Sequence, residues 1–345
     1  MKALVLEEQR RLSLLDFPLS ETTGPDDVKV AIKACGICGS DVHYFTNGRI
    51  GDFIVTAPMI LGHEASGVVL ETGANVKNLK AGDRVCMEPG IPDFKSMETL
   101  KGMYNLDPAV RFWATPPIHG CLRETGVHPA SLTFKLPENV SYHEGALVEP
   151  LAIGVWAAKK AAISPGDTAL VIGGGTIGIV AALAAESSGC SKVFIADIKK
   201  GKLGFIKKHY SSRLETIDLN ETDIGSFLEK KGIKGVDIVF EASGSVKVYE
   251  KICSYLVPSG RMVLIGMPPG PVPLDVVAMQ VKELSIETIF RYVNIYPLVI
   301  NMIASGKLNV KPLITRQYAF ADSLAAFDCA ATLPENDVKI MIDLE

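Results

Sequence analysis

The sequence predicts an α/β protein of two domains, and three observations carry that reading. The first 150 residues read as short strands broken by turn signals, with no sustained helical period. From about Pro150, continuous Val/Ile/Leu strands alternate with helices, the pattern of a parallel sheet covered on both faces. Between one such strand and the helix after it lies a run of glycines. The length, 345 residues, suits two domains of ~100–200 residues each.

The elements follow in order. Val28-Lys29-Val30-Ala31-Ile32 alternates, Gly67-Val68-Val69-Leu70 follows, and Gly82-Asp83-Arg84-Val85 introduces another strand. Residues 89–117 are rich in proline and read as loop. Leu151 to Ala162 is Ala-rich and helix-prone until Pro165-Gly166-Asp167 stops it. A buried strand, Ala169-Leu170-Val171-Ile172, leads through the glycines to a helix from Ile177 to Ser188. Strands at Lys192–Asp197, Asp237–Phe240 and Met262–Gly266 and a polar helix near 199–209 continue the alternation. The last fifty-odd residues return to mixed patterning, with a helix around 296–305 and a closing strand Lys339-Ile340-Met341-Ile342.

Composition removes several classes of function. Hydrophobic residues make up 48% and charged residues 21%, too apolar for a disordered chain. A net charge of −4 gives no basic footprint, so neither nucleic acid nor an anionic membrane is an expected partner. The apolar stretch Ala169 to Ala185 falls short of the ~20 residues of a membrane span and carries glycines. The N-terminus turns acidic after four apolar residues, too soon for a signal peptide. Seven scattered cysteines argue for a reducing compartment rather than a disulfide framework. The expectation is a soluble, cytoplasmic protein.

Gly173-Gly174-Gly175-Thr176-Ile177-Gly178 fits the dinucleotide fingerprint. Gly173 permits the tight turn, Gly175 lets the backbone approach a pyrophosphate, and Gly178 lets helix pack on strand. The phosphates then sit at a helix N-terminus, where free N–H groups favour anions. Asp197 ends the next strand, placed to accept hydrogen bonds from ribose hydroxyls and to repel a 2′-phosphate. NAD is therefore expected, although Lys199, Lys200 and Lys202 leave room for NADP.

The second chemical signal is Cys35-Gly36-Ile37-Cys38, in the β-rich half. A zinc ribbon would need a second such pair, and a redox pair belongs near a βαβ unit. The alternative to a redox pair is one thiolate ligand with its partners elsewhere, and His63-Glu64, 25 residues on, supplies an imidazole and a carboxylate. Three protein ligands and one open position make a catalytic zinc site.

With these residues placed, the chain resembles the zinc-dependent medium-chain dehydrogenases, above all their polyol branch of xylitol and sorbitol dehydrogenases. The likeness runs over nearly the whole length. It rests on Gly36 to Tyr44, Gly62 to Gly67, Gly82 to Val85, Ala114 to Pro117, Leu147 to Pro150, the glycine motif and Phe290-Arg291-Tyr292. It implies a GroES-like β-rich catalytic domain, 1–150 with 290–345 returning to it, and a Rossmann doubly wound parallel-sheet domain at 151–289, with the active site in the cleft between them.

Site residues are implied position by position. Cys38, His63 and Glu64 match zinc ligands, and Glu149 matches a carboxylate that contacts the zinc water, the substrate or the metal. Cys35 reads as a small buried residue. Ser40 and His43 match a proton relay, and Tyr44, Arg291 and Tyr292 match polyol-pocket positions. Phe112 and Thr115 read equally well as pocket or as simple loop packing. On the cofactor side Thr176 lies within the fingerprint, and Ile177, Asp197 and Lys202 match family positions. Ile265-Gly266-Met267 and Ile289-Phe290-Arg291 match the segments flanking the nicotinamide.

Many relatives hold a second, structural zinc with four closely spaced cysteines. Here no cysteine occurs between Cys86 and Cys121, so one zinc per subunit is expected. The implied activity is reversible oxidation of a secondary hydroxyl of a sugar alcohol, xylitol/D-xylulose ranking before sorbitol/fructose. A simple or aromatic alcohol substrate is the main alternative. A zinc-free reductase or a non-enzymatic NAD-binding protein would lack Cys38, His63 and Glu64. A homo-oligomer, tetramer or dimer, is implied by the resemblance alone.

Overall fold

Alternation along Asp27–Gly36 buries every second side chain, and that strand is the axis of the first unit. The structure, a computed structural model, describes residues 1–332 and 334–344. It divides into two units, Met1–Glu149 with Tyr296–Glu345, and Pro150–Ile295.

In the first unit a mixed sheet runs in the spatial order Thr133–Lys135, Arg84–Met87, Glu64–Thr72, Asp27–Gly36, Lys339–Asp343 and Ile314–Ala319. Thr125–Pro129 also pairs with Asp27–Gly36. The closing strand enters antiparallel to Asp27–Gly36, pairing Met341 with Gly36 and Ile342 with Cys35. Beside this sheet, Lys2–Glu8 is flanked by Arg11–Asp16 and Met59–Ile60. Leu4, Leu6, Ile32, Ile60 and Phe327 are among the side chains that fill the core.

The second unit is a six-stranded sheet, parallel throughout. Its spatial order is Glu215–Asp218, Lys192–Asp197, Thr168–Ile172, Val236–Glu241, Leu256–Leu264 and Ser285–Thr288. Numbered along the chain this is 3-2-1-4-5-6, the doubly wound dinucleotide-binding order, whose switch point lies between Thr168–Ile172 and Val236–Glu241. The apolar stretch after Thr168 divides into that first strand and the helix Thr176–Ser187. Among the described residues no helix is long and apolar enough to cross a membrane.

Three sequence expectations need adjustment. The return to the first unit falls at Tyr296 rather than 290, because Ser285–Thr288 is still a sheet strand and Ile289 N–H still donates to Leu264 O, 3.3 Å. Arg291 and Tyr292 therefore belong to the second unit. The β-rich half also contains a helix, Gly39–Asn47, too short to show a sustained period. The stretch 89–117 carries the short strands Gly90–Ile91 and Arg111–Phe112, paired with each other, and two helical turns, Met97–Leu100 and Tyr104–Leu106.

Candidate metal centre and cofactor turn

Cys38 is the N-cap of the helix Gly39–Asn47, in extended conformation. A helix N-terminus favours negative charge, which suits a thiolate donor. The cap is closed by Asp41, whose Oδ2 accepts the Cys38 N–H at 3.0 Å. Asp41 is fully buried, and its Oδ1 accepts the Gly62 N–H at 3.0 Å. One carboxylate thus ties the segment carrying Cys38 to the turn carrying His63. Gly62 has φ of +88°, a conformation that favours glycine.

His63 is buried, with Nδ1 3.6 Å from Asp41 Oδ1, leaving Nε2 as the ring nitrogen for a ligand. Burial alone would lower the imidazole, but the charges of Asp41 and Cys38 outweigh it and push His63 well above its ordinary value. Burial likewise would raise Asp41, yet His63 and the two backbone N–H groups hold it below the usual carboxylate range.

Glu64 opens the strand Glu64–Thr72 and stands opposite Gly36 in the ladder. A Cβ at position 36 would lie 2.1 Å from Glu64 Oε2, so only glycine leaves room for this carboxylate. Lys339, from the closing strand and buried, donates to Glu64 Oε1 at 2.7 Å, to Oε2 at 2.8 Å and to Ile37 O at 3.1 Å. Burial would lower its ammonium, but Glu64, Cys38 and Glu149 hold it above its ordinary value.

The outcome is one thiol, one imidazole and one carboxylate whose ligand atoms lie within 4.8 Å of one another. Mixed S, N and O donors suit zinc, and three of them leave a coordination position open. Glu149 is buried in the same unit but outside this cluster, near enough to Glu88 and Lys339 for its charge to act on both. Ser40 and His43 sit one turn apart on the helix behind Cys38, Ser40 half-buried and His43 exposed with Nδ1 3.3 Å from Asn47 Nδ2. Tyr44 packs into the core. The Phe112 ring lies 5.6 Å from the His63 ring, beside the metal cluster, and Thr115 N–H closes a turn onto Phe112 O at 3.1 Å. Cys35 is fully buried, its Sγ 3.5 Å from that of Cys121.

In the second unit Gly173 has φ of +110°, and Gly175 caps the helix Thr176–Ser187, with Ile177 in its first turn. A Cβ on Gly178 would lie 1.7 Å from Gly173 O, whereas one on Gly175 would meet nothing within 4 Å. The turn is tight where it packs and open where a phosphate would approach. Asp197 accepts the Gly174 N–H on Oδ2 and the Lys199 N–H on Oδ1, fixing its carboxylate beside the turn. Lys202 is buried in the helix Lys200–Tyr210.

Glu241, fully buried across the switch point, accepts N–H groups from Ser243 and Gly244 on its side chain and from Ile265 and Gly266 on its carbonyl. A Cβ on Gly266 would lie 2.3 Å from Gly244 N. Met267 beyond it is 79% exposed, and Phe290 is exposed. Arg291 has φ of +57° and its guanidinium lies 4.8 Å over the Phe290 ring, while Tyr292 is buried. Asp41, Lys339 and Glu241 are buried charged residues that brace the candidate sites and that sequence reasoning missed. Asp41 had a signal, an acid three residues after a helix-capping Cys38; Lys339 had none.

Two family models match the chain, an alcohol dehydrogenase GroES-like domain over residues 24–138 and a zinc-binding dehydrogenase over 176–305. A D-xylulose reductase of Morganella morganii is 53% identical over 331 residues, 96% of this chain and 98% of that one. A sorbitol dehydrogenase of Arabidopsis thaliana is 39% identical over 331 residues, 94% of this chain and 91% of its own. Among solved structures, an alcohol dehydrogenase of Escherichia coli CFT073 complexed with NADH superposes with a TM-score of 0.91, at 25% identity over 99% of both chains.

Proposed function

The chain belongs to the zinc-dependent medium-chain dehydrogenases, in their polyol branch, and from that premise we propose that it interconverts xylitol and D-xylulose with NAD and a single zinc. It is an oxidoreductase acting on CH–OH groups. The 53% full-length identity to a D-xylulose reductase carries the substrate reading. Sorbitol and fructose rank next, on the Arabidopsis relative.

Cys38, His63 and Glu64 would hold the zinc, which supplies Lewis acidity toward a substrate oxygen. The nicotinamide is the hydride acceptor. Asp41 orients His63, and Lys339 with Gly36 sets the place of Glu64. The substrate proton leaves by Ser40 and His43, which are i,i+3 neighbours on the helix capped by Cys38, with the His43 imidazole exposed. Glu149, buried outside the donor cluster, acts on a water or on substrate rather than as a permanent ligand. Arg291, Tyr292 and Tyr44 are the proposed partners of the remaining substrate hydroxyls.

NAD is favoured over NADP by Asp197 at the turn and by the pairing of the Lys200 ammonium with Glu221 at 3.3 Å and Asp218 at 3.9 Å. The single-zinc reading is supported by the lack of cysteine between Cys86 and Cys121. Exposed Val276, Val277 and Val281 next to the edge strand Ser285–Thr288 support a homo-oligomer. Seven cysteines free of disulfides fit a reducing cytoplasm.

The test is NADH formation by purified protein with NAD across xylitol, sorbitol, galactitol and ethanol, before and after a zinc chelator. Chelator-sensitive oxidation with xylitol the best substrate is expected. Preference for ethanol, or activity indifferent to zinc removal, overturns the proposal.

A further inference from the structure

Lys339 is unusual as a buried lysine. Its Nζ is spent on three acceptors, both oxygens of Glu64 and the carbonyl of Ile37, each within 3.1 Å. Its position is fixed by backbone pairing and not by a flexible stem alone. The closing strand pairs Met341 with Gly36, and Ile37 N–H donates to Ile340 O at 2.9 Å, so residue 339 comes level with the segment entering Cys38. The last strand of the chain thereby delivers a cation to the carboxylate of a metal-donor cluster whose other members lie within residues 38–64.

Electrostatics gives this cation a consequence. The metal-free centre gathers a thiol, Glu64, Asp41 and the nearby Glu149. A buried carboxylate without a counter-charge is costly, and an unpaired one would draw any available cation. Lys339 supplies the counter-charge before a metal arrives. Once zinc binds Glu64, the same carboxylate serves two cations, and the ammonium opposes the metal.

We propose that Lys339 is the positioning residue and internal counter-ion of the zinc centre: it holds Glu64 in the metal-free chain and lowers the affinity of the site for the metal. This rests on Cys38, His63 and Glu64 being the zinc ligands. The sign of the effect is what distinguishes it. A neighbour that merely orients a ligand costs about 10–100-fold in metal affinity when removed. A counter-ion, when removed, leaves Glu64 uncompensated, so metal binding becomes tighter.

The experiment is competition between metal-free protein and a chromophoric chelator for zinc, on wild type, Lys339→Met and Lys339→Arg. Wild type should bind one zinc per chain; if it binds none at the site, with Cys38→Ser no different, the ligand reading itself has failed. Given that binding, Lys339→Met should hold zinc about tenfold or more tightly, and its thermal midpoint should rise more on zinc addition than that of wild type. Lys339→Arg, which keeps the charge, should return to near wild-type affinity. Cobalt(II) in place of zinc should give thiolate-to-metal absorption in all three, showing that the donor set is unchanged. Should metal-free Lys339→Met fail to fold, Lys339→Gln, neutral but able to bond Glu64, gives the same comparison. Zinc affinity unchanged or weakened in a folded neutral variant overturns the proposal, as does loss of the tightening in one neutral variant when the donor set is intact.

Discussion

Glu88 offers the sharpest test of how buried charge is handled around the site. Its side chain is 2% exposed; Tyr104 Oη donates to Oε1 at 2.6 Å, and Oε2 has no hydrogen-bond partner. Burial is the main cause that pushes its carboxyl from 4.5 up to about 7, with the Tyr104 bond pulling down and the Glu149 charge pushing up. A raised acid is neutral in the fold at pH values where the unfolded chain has already ionised. Below pH 4.5 the group costs nothing; stability then falls as pH rises and is lowest above pH 7. Raising this carboxyl from 4.5 to about 7 is worth about 3 kcal/mol. Glu88→Gln keeps an acceptor for Tyr104 and cannot ionise, so it should add about 3 kcal/mol at pH 8 and next to nothing near pH 4.5. Urea unfolding at the two pH values reads both numbers. The acid limb supplies an internal control: burial depresses His128 to about 3, so stability tied to its neutral form is lost as pH falls from 6.5 toward that value. That loss should persist in the variant. Equal stabilisation of Glu88→Gln at both pH values, or destabilisation at pH 8, would refute the reasoning.

Three further outcomes are expected. Gly178→Ala drives a Cβ to 1.7 Å from Gly173 O, and because both partners are backbone the turn must open; NADH binding followed by fluorescence should weaken more than tenfold and the thermal midpoint should fall. Asp41→Asn removes the charge behind His63 while keeping its size, and zinc affinity by chelator competition should drop about 10–100-fold. Asp197→Ser removes the carboxylate beside the glycine turn, so the preference for NAD over NADP in kcat/KM should shrink, and a preference left unchanged would count against the ribose role.

The contrast between Asp197 and Lys339 shows which parts of this protein were legible in the sequence and why. Asp197 is announced locally: a strand, three glycines, a helix and a second strand ending in an acid are contiguous, and backbone geometry over such a span follows from residue type. His63-Glu64 could be joined to the Cys35/Cys38 pair because metal chemistry restricts donor types, and the choice of Cys38 over Cys35 came from the family resemblance. Tyr44, one helical turn from Ser40 and packed against the core, could be singled out only by position matching, because no local pattern marks it. The helix that carries both was invisible to periodicity because its nine residues are positioned by Cys38 and Asp41 at its first turn and not by a long apolar face. Lys339 had no local signal at all. A lysine before Ile340-Met341-Ile342 reads as the polar start of a strand, and only the pairing of that strand with Asp27–Gly36 carries its ammonium to Glu64, 275 residues away. Short-range rules find residues whose role is set by their neighbours in the chain. A residue whose role is to balance another's charge has no such neighbours, so its place becomes visible only when the closing strand enters the ladder.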